Sequence, residues 1–216
     1  MVEVNNNNMQ KLLNSAYNTS IKGLPKFSTA IELANKYLER YSSTDEAINS
    51  LIRHQNAKAS SFGFVFGLGG LIVLPILVPA NIVSVLYVQM RMVAAIAHMR
   101  GFDVKASEVK TLVFVALTGN SAEKILKGTG LKIGKKMIGR KIFERTIRKQ
   151  VTSESLTKIN QKVGFRLVAK FGQKGLVNLS RLVPIIGGLI GGSHDFLSTN
   201  IIGKVAKNEL FIDQFE

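Results

Sequence analysis

An uncharged run of 32 residues, 59–90, constrains the fold more than any other part of the chain. About 20 apolar residues are enough to cross a bilayer, so length alone permits a membrane span. Pro75 and Pro79 argue against an unbroken span, because each proline removes a backbone donor and crowds the preceding helical turn. The run therefore predicts two helices that meet at a proline corner, the second near 79–100. Whether residues 62–90 enter a membrane interface or pack in the core is left open.

The remaining chain has the apolar spacing of helices, and no part of it alternates with period two. Between Ser107 and Gly119 apolar residues recur at i, i+3, i+4, i+7 and i+8, which predicts a helix with Ser107 as N-cap and Gly119 as its end. Gly23 and Gly101 are expected to break helices in the same way. The predicted class is all-α, a compact multi-helix domain with a glycine-rich, proline-broken apolar helix pair at its centre.

A second glycine-rich block, 181–207, is expected to make the closest helix contact. Four of its glycines form two pairs spaced four residues apart, so one helical face has no side chains and another backbone can approach it. We expect this face to cross the first glycine-rich stretch at the centre of the fold. The predicted helix-packing residues are Gly67, Gly187, Gly188, Gly191 and Gly192.

A polar stripe runs along the predicted 79–100 helix. Ser84, Arg91 and His98 are spaced seven residues apart and therefore lie close together on one helical face. Arg91 keeps its proton, so burial would require a carboxylate or several carbonyl acceptors, whereas a stripe that faces water needs neither. The acidic candidates to meet Arg91 are Asp103, Glu108, Glu123 and Asp195. The candidate pocket consists of Asn81, Ser84, Arg91, His98, His194 and Asp195.

Positive charge is concentrated in one segment. The chain has a formal net charge of +15, and residues 124–149 hold ten Lys or Arg and one Glu, a sum of +9. Apolar residues between these cations have the spacing of a basic amphipathic helix, which is typical of membrane-surface binding, although an ordinary solvated helix face has the same pattern. A single aromatic residue in the segment makes nucleic acid the less favoured partner. The candidate membrane- or anion-binding residues are Lys124, Lys127, Lys132, Lys135, Lys136, Arg140, Lys141, Arg145, Arg148 and Lys149.

Two motif blocks resemble the EcsC family of bacterial proteins. The first reads GLGG…LP…PxN…LxxQxRxxAAIAHxRGFD, and the second, much later, reads RLVPIIGGxIGG…T…IGxVA. The resemblance covers approximately residues 50–210. It implies no established activity, and the family takes its name from a protein encoded beside an ABC transporter. The chain departs from the family pattern at Asn81, where an acidic residue is usual.

Enzyme chemistry has little support in the sequence. His54, His98 and His194 lack metal-ligand spacing, and the chain has no cysteine, so we expect neither a metal nor a cofactor. The consecutive residues Ser193, His194 and Asp195 point in different directions on a helix and cannot form a catalytic triad.

The leading hypothesis is a membrane-associated helical protein that binds an anionic lipid surface or a membrane protein complex, with a transporter or secretion link implied by the resemblance. The alternative is a soluble helical enzyme or ligand-binding domain with a pocket around Arg91, His98 and Asp195. The first residues lack the apolar core of a signal peptide, so a cytoplasmic location at the inner face of the membrane is expected. We expect N-terminal helices in 1–58 and a helical core in 59–216, joined as one continuous domain.

Overall fold

The computed structural model describes residues 6–23, 27–60, 80–128, 153–171 and 199–212. The described residues form helices and contain no β-strand, which confirms the all-α prediction. In chain order the helices are α1 (Asn6–Lys22), α2 (Ala30–Leu38), α3 (Thr44–Ser60), α4 (Ala80–Met99), α5 (Ser107–Ala116), α6 (Ala122–Lys127) and α7 (Ser153–Phe171). Residues 199–205 are also helical and continue into a π-helical turn at Ala206–Leu210. We call residues 199–210 the C-terminal helix.

Helix α4 is the centre of the core. Every residue from Leu86 to Ala97 is at most 2% exposed, because α1, α2, α3, α5 and the π-helical turn all pack against this helix. The helix predicted near 79–100 is therefore confirmed as a buried core helix. The division of the chain at residue 58 stays a prediction.

Gly101 ends α4 as predicted. Its φ angle is +77°, a conformation that glycine adopts without strain. The Gly101 amide donates to the His98 carbonyl at 2.8 Å and the Phe102 amide donates to the Ala97 carbonyl at 3.0 Å, which is the bond pattern of a Schellman cap. After the cap, Phe102 and Val104 stay buried in the core on the way to α5.

Among the described helices, none is both long and apolar enough to cross a membrane. Residues 61–79, with Gly67 and both prolines of the predicted corner, lie outside the described residues. The prediction that residues 62–90 either insert or pack in the core is answered only for the α4 portion, whose described side chains are packed.

The predicted boundaries of α5 are wrong at both ends. Ala106 is the N-cap and Ser107 is the first helical residue, because a turn in which the Ala106 amide donates to the Asp103 carbonyl leads the chain into the helix. The helix ends at Ala116, and the chain continues through a 3-10 turn that begins at Gly119 with φ +57°. Gly119 thus starts the next turn instead of ending the helix.

A close helix crossing at glycine does occur, at Gly203 in the C-terminal helix. A Cβ atom on Gly203 would lie 2.8 Å from Ile52 Cγ1 of α3, so the two helices approach with almost no room between them. Lys207, one turn further on, donates to Asn49, which lies one turn earlier on α3, and the two helices are therefore antiparallel here. The predicted packing glycines Gly187, Gly188, Gly191 and Gly192 lie outside the described residues.

Candidate functional site

Arg91 is buried on the central core helix α4, with 2% of the residue exposed. It lies on the α4 face that meets the link between α1 and α2, where its Nη1 donates to the Ser28 carbonyl at 3.1 Å. Its guanidinium carbon lies 5.6 Å from the centre of the Tyr87 ring, one turn earlier on α4. A cation at this distance from an aromatic ring is attracted to the ring face. The polar stripe is thus buried at Arg91, and His98 at the end of α4 is half-buried.

Three of the four predicted acidic partners of Arg91 are wrong. Asp103 accepts the Lys105 amide, Glu108 accepts the Ser107 hydroxyl, and Glu123 pairs with Lys127 on the α6 surface. Among the described residues, no carboxylate lies within ion-pair distance of Arg91, and the Ser28 carbonyl is its one hydrogen-bond acceptor. The fourth candidate, Asp195, lies outside the described residues, as does His194.

Arg91 and Tyr87 each have a buried polar atom without a hydrogen-bond partner among the described residues. Arg91 Nε is buried and has no hydrogen-bond partner in the described structure, and neither has the hydroxyl of Tyr87. With Nη1 bonded to Ser28, the unpaired Nε and the neighbouring Nη2 form the edge that can bind carboxylate or phosphate with two parallel bonds. Burial raises the pKa of the Tyr87 hydroxyl, while the Arg91 guanidinium lowers it through its charge and its close approach to the hydroxyl oxygen. The net shift is upward, so the hydroxyl is protonated at neutral pH and can donate.

A second buried polar cluster lies on the other side of α4. Gln89 donates from Nε2 to the Thr199 hydroxyl at 3.0 Å, and its Oε1 has no partner among the described residues. Gln55 of α3 is fully buried, and neither of its amide atoms has a partner there either. The antiparallel register of α3 and the C-terminal helix places Gln55 one turn beyond Ile52, at the end of the crossing where Thr199 lies. Sequence analysis missed this cluster. The feature that could have indicated it is an amide side chain among apolar helical residues, such as Gln89 in α4.

A charged cluster joins the start of α3, the end of α4 and the C-terminal helix. Asp45 forms ion pairs with Arg100 and with Lys207, the latter at 2.6 Å. The side chains of Arg100 and Lys207 are only 6% and 13% exposed. Burial alone raises the pKa of the Asp45 carboxyl, but hydrogen bonds from Lys207 and Arg100 outweigh burial and hold that pKa below its ordinary value. This cluster connects helix ends and was invisible in the sequence, because its members are far apart along the chain.

Some of the other predicted site residues lie within the described ranges, and the rest lie outside them. Asn81 and Ser84 belong to the first turns of α4, one and four residues after its start. Lys124 and Lys127 lie exposed on α6. The other predicted cations lie outside the described residues: Lys132, Lys135, Lys136, Arg140, Lys141, Arg145, Arg148 and Lys149. Within the described ranges, no group of three His, Cys, Asp or Glu side chains is placed to hold a metal ion.

Comparison with known proteins agrees with the motifs of the two glycine-rich blocks. Searches of curated proteins and of solved structures each find no match. The model of the EcsC protein family matches residues 4–210, a range that includes all seven numbered helices and the whole C-terminal helix. On this match, the chain belongs to the EcsC protein family.

Proposed function

We propose that this protein attaches peripherally to an anionic membrane surface through the basic segment, residues 124–149. The observation that carries the proposal is the +9 charge of this one segment, in a chain whose remaining residues sum to +6. Anionic lipids attract clustered Lys and Arg, and each cation near such a surface contributes about 1 kcal/mol. Because those lipids are concentrated in the cytoplasmic leaflet, we place the protein at the inner face of the membrane.

The described neighbours of the segment support an accessible basic surface. Lys124 and Lys127 at its start are exposed on α6, and Lys158 and Lys162 are exposed on α7, which packs against α6. Lys162 donates to the Gly128 carbonyl at 2.6 Å, directly where the chain leaves α6. The cations of α7 therefore lie next to the beginning of the basic segment.

On the described helices α6 and α7, the carboxylates that pair with these cations belong to Glu123 and Glu154. Glu123 pairs with Lys127 at 2.6 Å and Glu154 pairs with Lys158 at 2.6 Å, and all four side chains are more than half exposed. Exposed pairs of this kind contribute about 0.3–0.5 kcal/mol, so an anionic surface competes with them easily. The local excess of positive charge is thus available for binding.

Vesicle sedimentation tests the proposal. Changing Lys132, Lys135, Lys136, Arg140 and Lys141 to Gln should weaken binding to phosphatidylglycerol-containing vesicles by several kcal/mol at low salt, following about 1 kcal/mol per cation. The loss should shrink at high salt, because the screening length falls to about 3 Å at 1 M. Vesicles of phosphatidylcholine alone should bind neither protein.

A matched variant separates the segment from net charge. The control changes five exposed cations of the first three helices and the turn after α2 to Gln, which removes the same number of charges outside the basic segment: Lys11, Lys22, Lys36, Arg40 and Arg53. This control should keep most of the vesicle binding. Equal losses in both variants would show that total charge, and not the basic segment, drives attachment.

The same two variants test the other partners. Salt-dependent binding to duplex DNA or RNA that is tighter than vesicle binding would favour nucleic acid. Membrane fractionation distinguishes lipid binding from binding to a protein complex. Two results together would favour the complex: the purified protein does not bind anionic vesicles, and the protein leaves the membrane fraction in cells that lack the membrane proteins of the complex.

A further inference from the structure

We propose that the buried guanidinium of Arg91 and the hydroxyl of Tyr87 form a binding site for a singly charged oxyanion, a carboxylate or a phosphodiester group. The site lies inside the helical core where α4 meets the link between α1 and α2, and neither of its two residues belongs to the basic segment. It would bind one specific ligand, whereas the basic segment binds a surface.

The first argument is the charge. An arginine keeps its proton at every physiological pH, and a buried ion without a counter-ion is strongly unfavourable. The described surroundings of Arg91 supply one carbonyl and one aromatic ring, and no carboxylate. Neither partner neutralises a full positive charge, so the described part of the site lacks one negative charge.

The second argument is the shape of the open donors. Ser28 occupies Nη1 and leaves the Nε and Nη2 edge, with Nε buried and unpaired among the described residues. This edge presents two parallel N–H groups at the spacing of two oxygens on one carboxylate or phosphate. A buried N–H group without a partner is unfavourable, so packing against Tyr87 does not by itself account for this edge.

The third argument is a second donor next to the first. Tyr87 is fully buried, and its hydroxyl has no partner in the described structure. Tyr87 and Arg91 are four residues apart on α4, so both side chains lie on the same helical face. Phe27 packs against Tyr87 and Val88 on this side, which gives the site an apolar wall. One oxyanion placed at the open edge would pair the charge and use the hydroxyl as a third donor.

Thermal unfolding of the full chain, dialysed into chloride buffer, tests the site. The probes are acetate, dimethyl phosphate and dihexanoyl phosphatidylglycerol below its micelle concentration, each compared with chloride at equal ionic strength. At about five times its dissociation constant, a probe that binds should raise the melting temperature by about 2–4 °C. A rise with dimethyl phosphate or acetate identifies a soluble ligand, and a rise with the lipid alone identifies a headgroup. No rise with any probe overturns the proposal.

Three substitutions assign the effect to these residues. Arg91→Lys keeps the charge but loses the two-donor edge, and Tyr87→Phe removes only the hydroxyl, so each should weaken probe binding by about tenfold or more. Arg53→Lys makes the same exchange at an exposed position of α3 and should leave binding unchanged. A response to the probe that survives Arg91→Lys unchanged would contradict the assignment.

An internal carboxylate is the competing explanation, and Asp195 is its candidate. A double-mutant cycle of Arg91→Lys and Asp195→Asn, measured without probe, separates the two cases. Additive effects on stability support an external oxyanion. Strong coupling between the two substitutions would show that the chain neutralises Arg91 itself and would overturn the proposal.

Discussion

The contact at Gly203 allows one prediction to be worked out in detail. Gly203 lies in the C-terminal helix, and a Cβ atom there would lie 2.8, 3.0 and 3.1 Å from Ile52 Cγ1, Cγ2 and Cδ1. Contacts below about 3 Å are strongly repulsive, and Ile52 has little freedom to move away. Its β-branched side chain has one strongly preferred rotamer in a helix, and only 5% of the residue is exposed. Gly203→Ala therefore forces the two helices apart or strains Ile52.

The sign of the effect distinguishes this contact from an ordinary helical position. At an exposed site Gly→Ala stabilises a helix by up to about 1 kcal/mol, because alanine has the higher helix propensity. Overpacking in a core costs about 1–3 kcal/mol. We expect the clash to outweigh propensity, with a net loss of about 1–2 kcal/mol and a melting temperature lower by about 2–8 °C.

Thermal and urea unfolding measure the change, with two controls. Lys204→Ala, at the adjacent exposed position, should have little effect. In a background of Ile52→Ala, which removes all three contacting atoms, Gly203→Ala should become neutral or stabilising. A raised melting temperature for Gly203→Ala alone, or the same loss in both backgrounds, would refute the close crossing of α3 and the C-terminal helix.

The remaining predictions concern buried polar groups. Asp45→Asn should lower the free energy of unfolding by about 2 kcal/mol at pH 7, because it removes the carboxylate that pairs with Arg100 and Lys207. The exposed third of Asp45 keeps the loss below that of a fully buried pair. An unchanged urea midpoint would show that these pairs contribute nothing. Since the folded state holds the Asp45 pKa below its ordinary value, this stabilisation is complete above about pH 5 and declines as the pH falls further. Asp45→Asn should lose this pH dependence in acid titration. Gln55→Leu should leave the melting temperature unchanged or raise it, because it removes two buried amide atoms that have no partner among the described residues. A clear decrease would show that Gln55 is hydrogen-bonded in the folded protein.

Local sequence was sufficient for the helices themselves. Apolar periodicity identified α4 and α5, and glycine at 101 ended α4 because left-handed backbone is accessible to glycine at low cost. The exact helix ends were harder to predict. At the start of α5, the turn from Asp103 to Ala106 makes Ala106 the N-cap, although the Ser107 side chain is the better capping group. All these effects act over a few residues, so they are readable without knowledge of the fold.

The surroundings of each helix were decided only by tertiary structure. The spacing of Ser84, Arg91 and His98 located a stripe but left its exposure open, because any helical face can meet water or another helix. Arg91 is buried because the link between α1 and α2 packs against that face, and it donates to the carbonyl of Ser28, 63 residues earlier in the chain. In the same way Gln89 meets Thr199 across 110 residues and Lys207 meets Asn49 across 158. Periodicity records which residues share a face, whereas the energy of a buried charge depends on the atoms that other helices bring to it.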